Sequence, residues 1–392
     1  MKDSKYLHNK ISKIIHEIPK SGIRDFFDIV NSKKDVISLG IGEPNFITPW
    51  KIRDKAIRSL EQGRTSYTSN LGLISLRTEI AKYIREKTNI SYCPDNELLI
   101  TVGVSEGLDL AVRALIEPGD EVIYHEPSYV SYNPIIKFAH GIPVSIKTKK
   151  ENDFKLTRSD LEKVITKKTK VLLLNYPNNP TGVTLNKSEV KDIAEFVIEK
   201  DLIVITDEIY DELSYDHQHY SIISFPGMRE RTIYLHGFSK LWAMTGWRIG
   251  FIAAPSILTN AMMKIHQYTM LCAPIISQEA AVEALRNSRN DVLNMKKEYL
   301  NRRNFIEASL DKINIPYIHS TGAFYIFIDI SQFGLTSNDF AVQFLESENI
   351  AVVPGTAFGS CGEGFIRCSY ATSLDDIKKA MIGLECFIKS LK

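Results

Sequence analysis

The chain has 392 residues, 44% of them apolar, with 48 basic and 47 acidic side chains and a formal net charge of +1. That length suits two domains, the composition is that of a soluble globular protein, and the balanced charge gives no long-range field favouring nucleic acid or an anionic membrane. The five cysteines, Cys93, Cys272, Cys361, Cys368 and Cys386, are scattered and form no Cys-x-x-Cys pair, which argues against a disulfide framework or a metal site and fits a reducing cytoplasm.

Residues 1–20 mix Lys and His with Asp3 and Glu17 and lack the apolar stretch of a secretion signal; no run in the chain approaches membrane-spanning length. Gly40-x-Gly42 follows a strand-like run, but Asn45 stands where a dinucleotide loop needs its third Gly, and Pro44 interrupts the turn. Seven short apolar runs then recur: Leu98–Val102, Glu121–Tyr124, Pro143–Lys147, Val171–Asn175, Leu202–Thr206, Thr232–Leu235 and Ile249–Ala253. Several lack polar alternation, as strands buried on both faces do. Between them lie helical spacings, Leu108, Ala111, Val112, Leu115 and Val190, Ile193, Phe196, Val197. Strand–helix alternation of this kind predicts an α/β fold with a mostly parallel sheet between helices. Past residue 290 the rhythm changes to a charged helix (Met295 to Lys312), the runs Ala323–Asp329, Ala351–Pro354 and Phe365–Ser369, and a closing helix (Leu374 to Leu391). We read residues 46–290 as a large domain, 291–392 as a smaller α+β domain, and 1–45 as an arm that joins the smaller one.

Within this frame, Gly103-Val104-Ser105-Glu106-Gly107 sits between a strand and a helix. It matches the nucleophile elbow of an α/β-hydrolase, with Ser105 as nucleophile and Asp207 and His236 in the required chain order. The same turn equally suits a phosphate at a helix N-terminus. Ile203 to Glu208 resembles the magnesium-binding strand end of a nucleotide hydrolase, but the chain has no Gly-Lys dipeptide to complete one. His217-x-His219 has no third ligand nearby and reads as solvated rather than metal-binding.

Five further segments point to one chemistry, the least telling by itself being Tyr67 in Thr65-Ser66-Tyr67, before a Gly72 turn. Lys240, in Gly237-Phe238-Ser239-Lys240 with Met244 to Gly250 beyond, follows an apolar strand where burial can make an amine nucleophilic. Asn179, in Asn178-Asn179-Pro180-Thr181-Gly182, offers an amide beyond a buried strand end, where open α/β sheets bind ligands. Asp207 ends an apolar strand as either a cap or the partner of a buried cation. Arg367, inside a strand-like run, is either a snorkelling residue or a bidentate carboxylate clamp.

Together with Gly42-Glu43-Pro44 and Pro354-Gly355, these motifs make the chain similar, over nearly its full length, to the class I and II aminotransferases, fold-type I pyridoxal-phosphate enzymes. It most resembles their aromatic and broad-specificity, aspartate-aminotransferase-like branch. The resemblance implies a seven-stranded sheet in the large domain, a pyridoxal 5'-phosphate cofactor, and an amino acid and a 2-oxo acid as substrates. Lys240 would form the Schiff base and carry the Cα proton, and Asp207 would keep the pyridine nitrogen protonated. Tyr210 and Asn179 would bond the phenolic oxygen, and Tyr129 would stack on the ring. Val104, Ser105, Ser239 and Arg248 would hold the phosphate, joined by Tyr67 from the other subunit of a homodimer. Arg367 would clamp the substrate carboxylate, assisted by the Gly42 backbone and by Asn179. The second Arg with which aspartate enzymes hold a distal carboxylate has no equivalent near His266-Gln267-Tyr268, which leaves room for aromatic and other apolar side chains.

Overall fold

The computed structural model describes residues 6–18 and 35–391. A two-residue strand, β1 (Ile37–Ser38), precedes the seven apolar runs. Those runs form β2 (Leu98–Thr101), β3 (Glu121–Glu126), β4 (Ile142–Lys147), β5 (Thr169–Asn175), β6 (Ile203–Asp207), β7 (Thr232–Gly237) and β8 (Gly250–Ala253). They pair in the order β2-β8-β7-β6-β5-β3-β4. Only β8 runs against the rest, antiparallel to both β2 and β7. The carboxyl ends of β2, β3, β5, β6 and β7 therefore share one edge of the sheet, and β8 begins there.

The missing polar alternation has a direct cause. Ile123, Leu172, Leu174 and Val204 point to one face, against Val190, Ile193, Phe196 and Val197 of the helix Lys187–Glu199. Val122, Val171, Leu173, Ile205 and Ile233 point to the other, against Leu108, Ala111 and Val112 of the helix Gly103–Leu115. Each such side chain, fully buried, contributes roughly 1.5–3 kcal/mol, so neither face tolerates a polar residue. Asn186 starts the helix Lys187–Glu199 with a reciprocal capping box to Glu189.

Beyond the long helix Arg289–Lys312, a second sheet follows the order β12-β13-β10-β9 and is antiparallel throughout. Its strands are β9 (Tyr317–Ile318), β10 (Tyr325–Asp329), β12 (Val353–Pro354) and β13 (Phe365–Ser369). A separate strand, β11 (Ile350–Ala351), pairs in parallel with β1. Three expectations change here. The run Ala323–Asp329 enters its strand only at Tyr325, because Ala323 has a left-handed backbone (φ 56°) that a strand cannot hold. The run Ala351–Pro354 is divided between two sheets, since Ala351 gives its carbonyl to Leu39 beside β1 while Val353 turns to Arg367 of β13. The charged helix begins at Arg289 rather than Met295, its first turns anchored by buried Val292. The two sheets are stitched together by Ala323 N–H to the Leu213 carbonyl (2.7 Å) and Gly322 N–H to the Gly182 carbonyl (2.7 Å). This brings β10 and β13 to the carboxyl edge of the large sheet.

Candidate active site

A cavity of about 720 Å³ opens at that edge, and loops from five strands supply its walls. After β2 the chain turns through Gly103 (φ 74°), where an added Cβ would lie 2.6 Å from Arg248 Nη2. Gly250 is as constrained, since its Cβ would lie 2.8 Å from the Val104 nitrogen. Gly103 thus lets the Arg248 guanidinium, and Gly250 the start of β8, lie against the first turn of the helix Gly103–Leu115. The first N–H groups of a helix have no partner within it and carry the positive end of its dipole. Val104, Ser105, Ser239 and Arg248 all line the cavity there, a cradle for a phosphate. Gly103→Ala should weaken the binding of a phosphate group about tenfold, because the added Cβ would displace the Arg248 guanidinium from the cradle, and a lost charge-assisted hydrogen bond costs roughly 1.5–3 kcal/mol. Titration of the wild type and the variant with inorganic phosphate measures this, and equal affinities would deny the turn that part.

Lys240 stands three residues past β7, half-buried, its ammonium donating to the Gly42 carbonyl (2.6 Å). Burial lowers its pKa to about 8; Arg367 and Arg248 push the same way and Glu43 opposes them. A sizeable fraction of the amine is then unprotonated at neutral to mildly alkaline pH, as a nucleophile requires. Glu43 is itself tied to the Thr245 hydroxyl.

Asp207 ends β6 with only 6% of its surface exposed. Its carboxylate accepts from the Tyr132 hydroxyl (3.0 Å) and the Ile209 N–H (3.3 Å), while Asn175 donates to its carbonyl (2.9 Å). No cationic side chain among the described residues pairs with it, and burial raises its pKa to about 6. A buried carboxylate facing a cavity without a countercharge is a place for a cationic ligand group.

The complementary case is Arg367 on β13, 3% exposed. One nitrogen donates to the Asn179 side-chain oxygen (2.8 Å) and another to the Gly40 carbonyl (2.6 Å), and Nε has no partner. Its guanidinium lies 4.5 Å from the Tyr325 ring centre and 4.6 Å from that of Phe358. No carboxylate among the described residues answers this charge, so the site suits a carboxylate from outside. Asn179 reaches the cavity because Asn178 knots the preceding turn, accepting from both the N–H (3.1 Å) and the hydroxyl (2.8 Å) of Thr181. Tyr210 is buried with its hydroxyl 2.8 Å from that of Tyr325.

The cavity walls therefore hold Gly42, Val104, Ser105, Tyr129, Asn179, Asp207, Tyr210, Ser239, Lys240, Arg248 and Arg367 of the residues singled out in the sequence. Tyr67 is not among them; it is 83% exposed on the surface. Among the lining residues to which the sequence reading gave no role are Tyr132, Asn175 and Tyr325. Asn175 ends the recognised apolar run Val171–Asn175 and could have been found; the two tyrosines have no local signal.

The hydrolase triad is not assembled. His236 is fully buried, bonds Asp211 (2.9 Å) and stacks on Tyr234, while the Asp207 carboxylate is taken by Tyr132. Nor are the paired histidines simply solvated, for both are half-buried. His219 bonds the buried Glu208 carboxylate (2.7 Å) and His217 the Thr184 hydroxyl (2.8 Å). The correction follows from Glu208, whose buried charge needs a donor that the local sequence did not reveal.

Residues 34–383 match the family model described as aminotransferase class I and II. The chain is 50% identical to the YugH protein of Bacillus subtilis (strain 168), over 96% of this chain and 98% of that one. It is 44% identical to an aspartate aminotransferase of Pyrococcus abyssi, over 95% and 96%. Among solved structures, the aromatic aminotransferase of Pyrococcus horikoshii OT3 superposes with a TM-score of 0.89 at 43% identity, over 94% of this chain and 99% of that chain.

Proposed function

The chain belongs to the class I and II aminotransferases, and from that premise we propose that it moves an amino group between an L-amino acid and a 2-oxo acid such as 2-oxoglutarate, by a ping-pong mechanism with pyridoxal 5'-phosphate. The observation that carries this reading is the half-buried Lys240 amine, its pKa lowered to about 8, in a cavity that also holds a buried carboxylate and a buried guanidinium without countercharges. The fit to the cofactor rests on those groups. The Gly103 turn and Arg248 accept its phosphate, Tyr129 its ring face, Asp207 its ring nitrogen, Tyr210 and Asn179 its phenolic oxygen, and Lys240 its aldehyde. When bound, the cofactor supplies an electron sink for the pair left when the substrate Cα loses its proton. Asp207 keeps a positive charge on the sink, Lys240 moves the proton to and from Cα, and Arg367 orients the substrate through its carboxylate.

The amino donor is aromatic or broad in side chain, with aspartate the alternative that a donor panel tests. Among the described residues, Lys240, Arg248 and Arg367 are the cations that line the cavity, and each already has a role. None is left for a distal carboxylate, while Ile41 and Tyr129 offer apolar surface.

The active unit is a homodimer in which Tyr67 enters the neighbouring site. Asn70 bonds the Leu271 carbonyl (2.7 Å), and around that contact Tyr67, Tyr268, Met270 and Leu271 are all exposed, an apolar patch that a second copy would cover. Residues 46–290 form the cofactor-holding unit, and 291–392, joined by residues from 1–45, the unit that brings Arg367. No described helix is long and apolar enough to cross a membrane, and the five free thiols suit the cytoplasm.

A panel of amino donors with 2-oxoglutarate tests the whole reading. Glutamate should form with aromatic donors at least as fast as with aspartate. A protein that binds pyridoxal phosphate but transfers no amino group from any donor would refute it.

A further inference from the structure

Resting on this aminotransferase reading, we infer that Tyr325 is a positioning residue: its ring backs the Arg367 guanidinium and its hydroxyl orients that of Tyr210, giving the carboxylate clamp and the cofactor-facing hydroxyl one common support. Tyr325 opens β10 and pairs with Ser369, two residues beyond Arg367 on β13. It is buried, yet its side chain reaches parts of the site that come from three other segments. The Arg367 guanidinium lies 4.5 Å from its ring centre. The Tyr210 ring meets it edge-on at 5.8 Å, with the two hydroxyls 2.8 Å apart. Gly42, whose carbonyl accepts the Lys240 ammonium, passes so close that an added Cβ would lie 2.2 Å from the Tyr325 hydroxyl oxygen.

A hydroxyl donates one hydrogen and accepts others. Each of these two has the other as its only described hydrogen-bond partner, so one must donate. The adjacent Arg367 cation makes Tyr325 the better donor. Tyr210 then accepts from Tyr325 and keeps its own hydrogen for the cavity, where the cofactor's phenolic oxygen would take it. The charged and titratable groups facing the pair are Arg367, Asp207, Tyr129 and, through Gly42, Lys240. A substrate carboxylate arriving at Arg367 neutralises the charge over the Tyr325 ring and weakens its donation, so occupancy of the clamp is felt at Tyr210.

Tyr325→Phe keeps the ring and removes the hydroxyl. Tyr210 becomes a weaker donor, the phenolic oxygen becomes more basic, and the Lys240–cofactor linkage holds its proton to higher pH. In the cofactor-loaded variant, the pH midpoint of the visible absorbance band should rise by about 0.5–1 unit, the size of one hydrogen bond, with KM for the amino donor changed less than about twofold because the ring remains. Tyr325→Leu, which loses the ring as well, should also raise that KM several-fold. Tyr210→Phe breaks the same bond from the other side, and adding Tyr325→Phe to it should move the midpoint no further. An unchanged midpoint in Tyr325→Phe, or an additive shift in the double variant, overturns the inference while leaving the aminotransferase reading in place. A wild-type protein that binds no pyridoxal phosphate would remove that reading and this inference with it.

Discussion

Lys240→Ala should bind pyridoxal phosphate without a borohydride-reducible linkage and lose transamination by at least about 10²–10⁴-fold, the usual contribution of a positioned proton carrier alone. The expectation rests on how the amine is held. An exposed lysine would be protonated at neutral pH and could take many positions. Here burial brings the pKa down to about 8, and the Gly42 carbonyl at 2.6 Å fixes the nitrogen. The same burial gives a second signature. A lysine whose folded pKa lies below its unfolded value of 10.5 costs stability while it is charged, fully below pH 8, and the cost fades as pH rises from there towards 10.5. The cofactor-free variant should therefore unfold at higher urea than the cofactor-free wild type at pH 7, and the gap should close in alkali. A variant that kept a reducible linkage would show that another amine does this work.

The parts of the cavity lining that could be read in the sequence are those where a short motif marks a turn at a strand end. Lys240, Asp207, Asn179 and Arg248 each follow or precede an apolar strand run, and the carboxyl edge of the sheet gathers them. Tyr132 and Tyr325 were illegible because their importance comes from distant partners: Tyr132 reaches Asp207 from the helix Tyr132–Phe138, and Tyr325 reaches Tyr210 from the other sheet. The misleading signals have the same origin. Gly103 to Gly107 has the spacing of a nucleophile elbow because both kinds of site need a tight strand-to-helix turn. The contacts of His236, to Asp211 and not to Ser105, and of Asp207, to Tyr132, separate them. The fold was easier to read: buried strands must be apolar on both faces, and β5 and β6 could hardly be anything else. The reversal of β8 left no trace, since a four-residue apolar run reads alike in either direction.

Asp207→Asn should move stability and catalysis in opposite directions. With a folded pKa near 6 against an ordinary 3.8, Asp207 binds its proton more tightly in the folded protein. Below pH 3.8 both states hold the proton and there is no cost. As pH rises through the window from 3.8 to 6 the folded state must give the proton up in an apolar setting, and stability falls; above pH 6 the full penalty, roughly 2–3 kcal/mol, remains. Asparagine cannot ionise, and its side-chain oxygen can still accept from Tyr132. The cofactor-free variant should thus be more stable than the wild type at pH 7.5 by about 1–3 kcal/mol, a gap that closes towards pH 4 in urea titrations. With pyridoxal phosphate bound, the order of merit reverses. On the proposed reading the carboxylate would hold a positive charge on the ring nitrogen, and loss of one preorganised electrostatic group of this kind typically lowers kcat by about 10²–10³-fold. Cofactor binding should also stabilise the wild type more than the variant, because only in the wild type does it supply the missing countercharge. A variant with undiminished turnover would deny Asp207 its catalytic part. One with no gain in stability when empty would mean that the carboxylate is not paying for its burial, and that some other group already balances it.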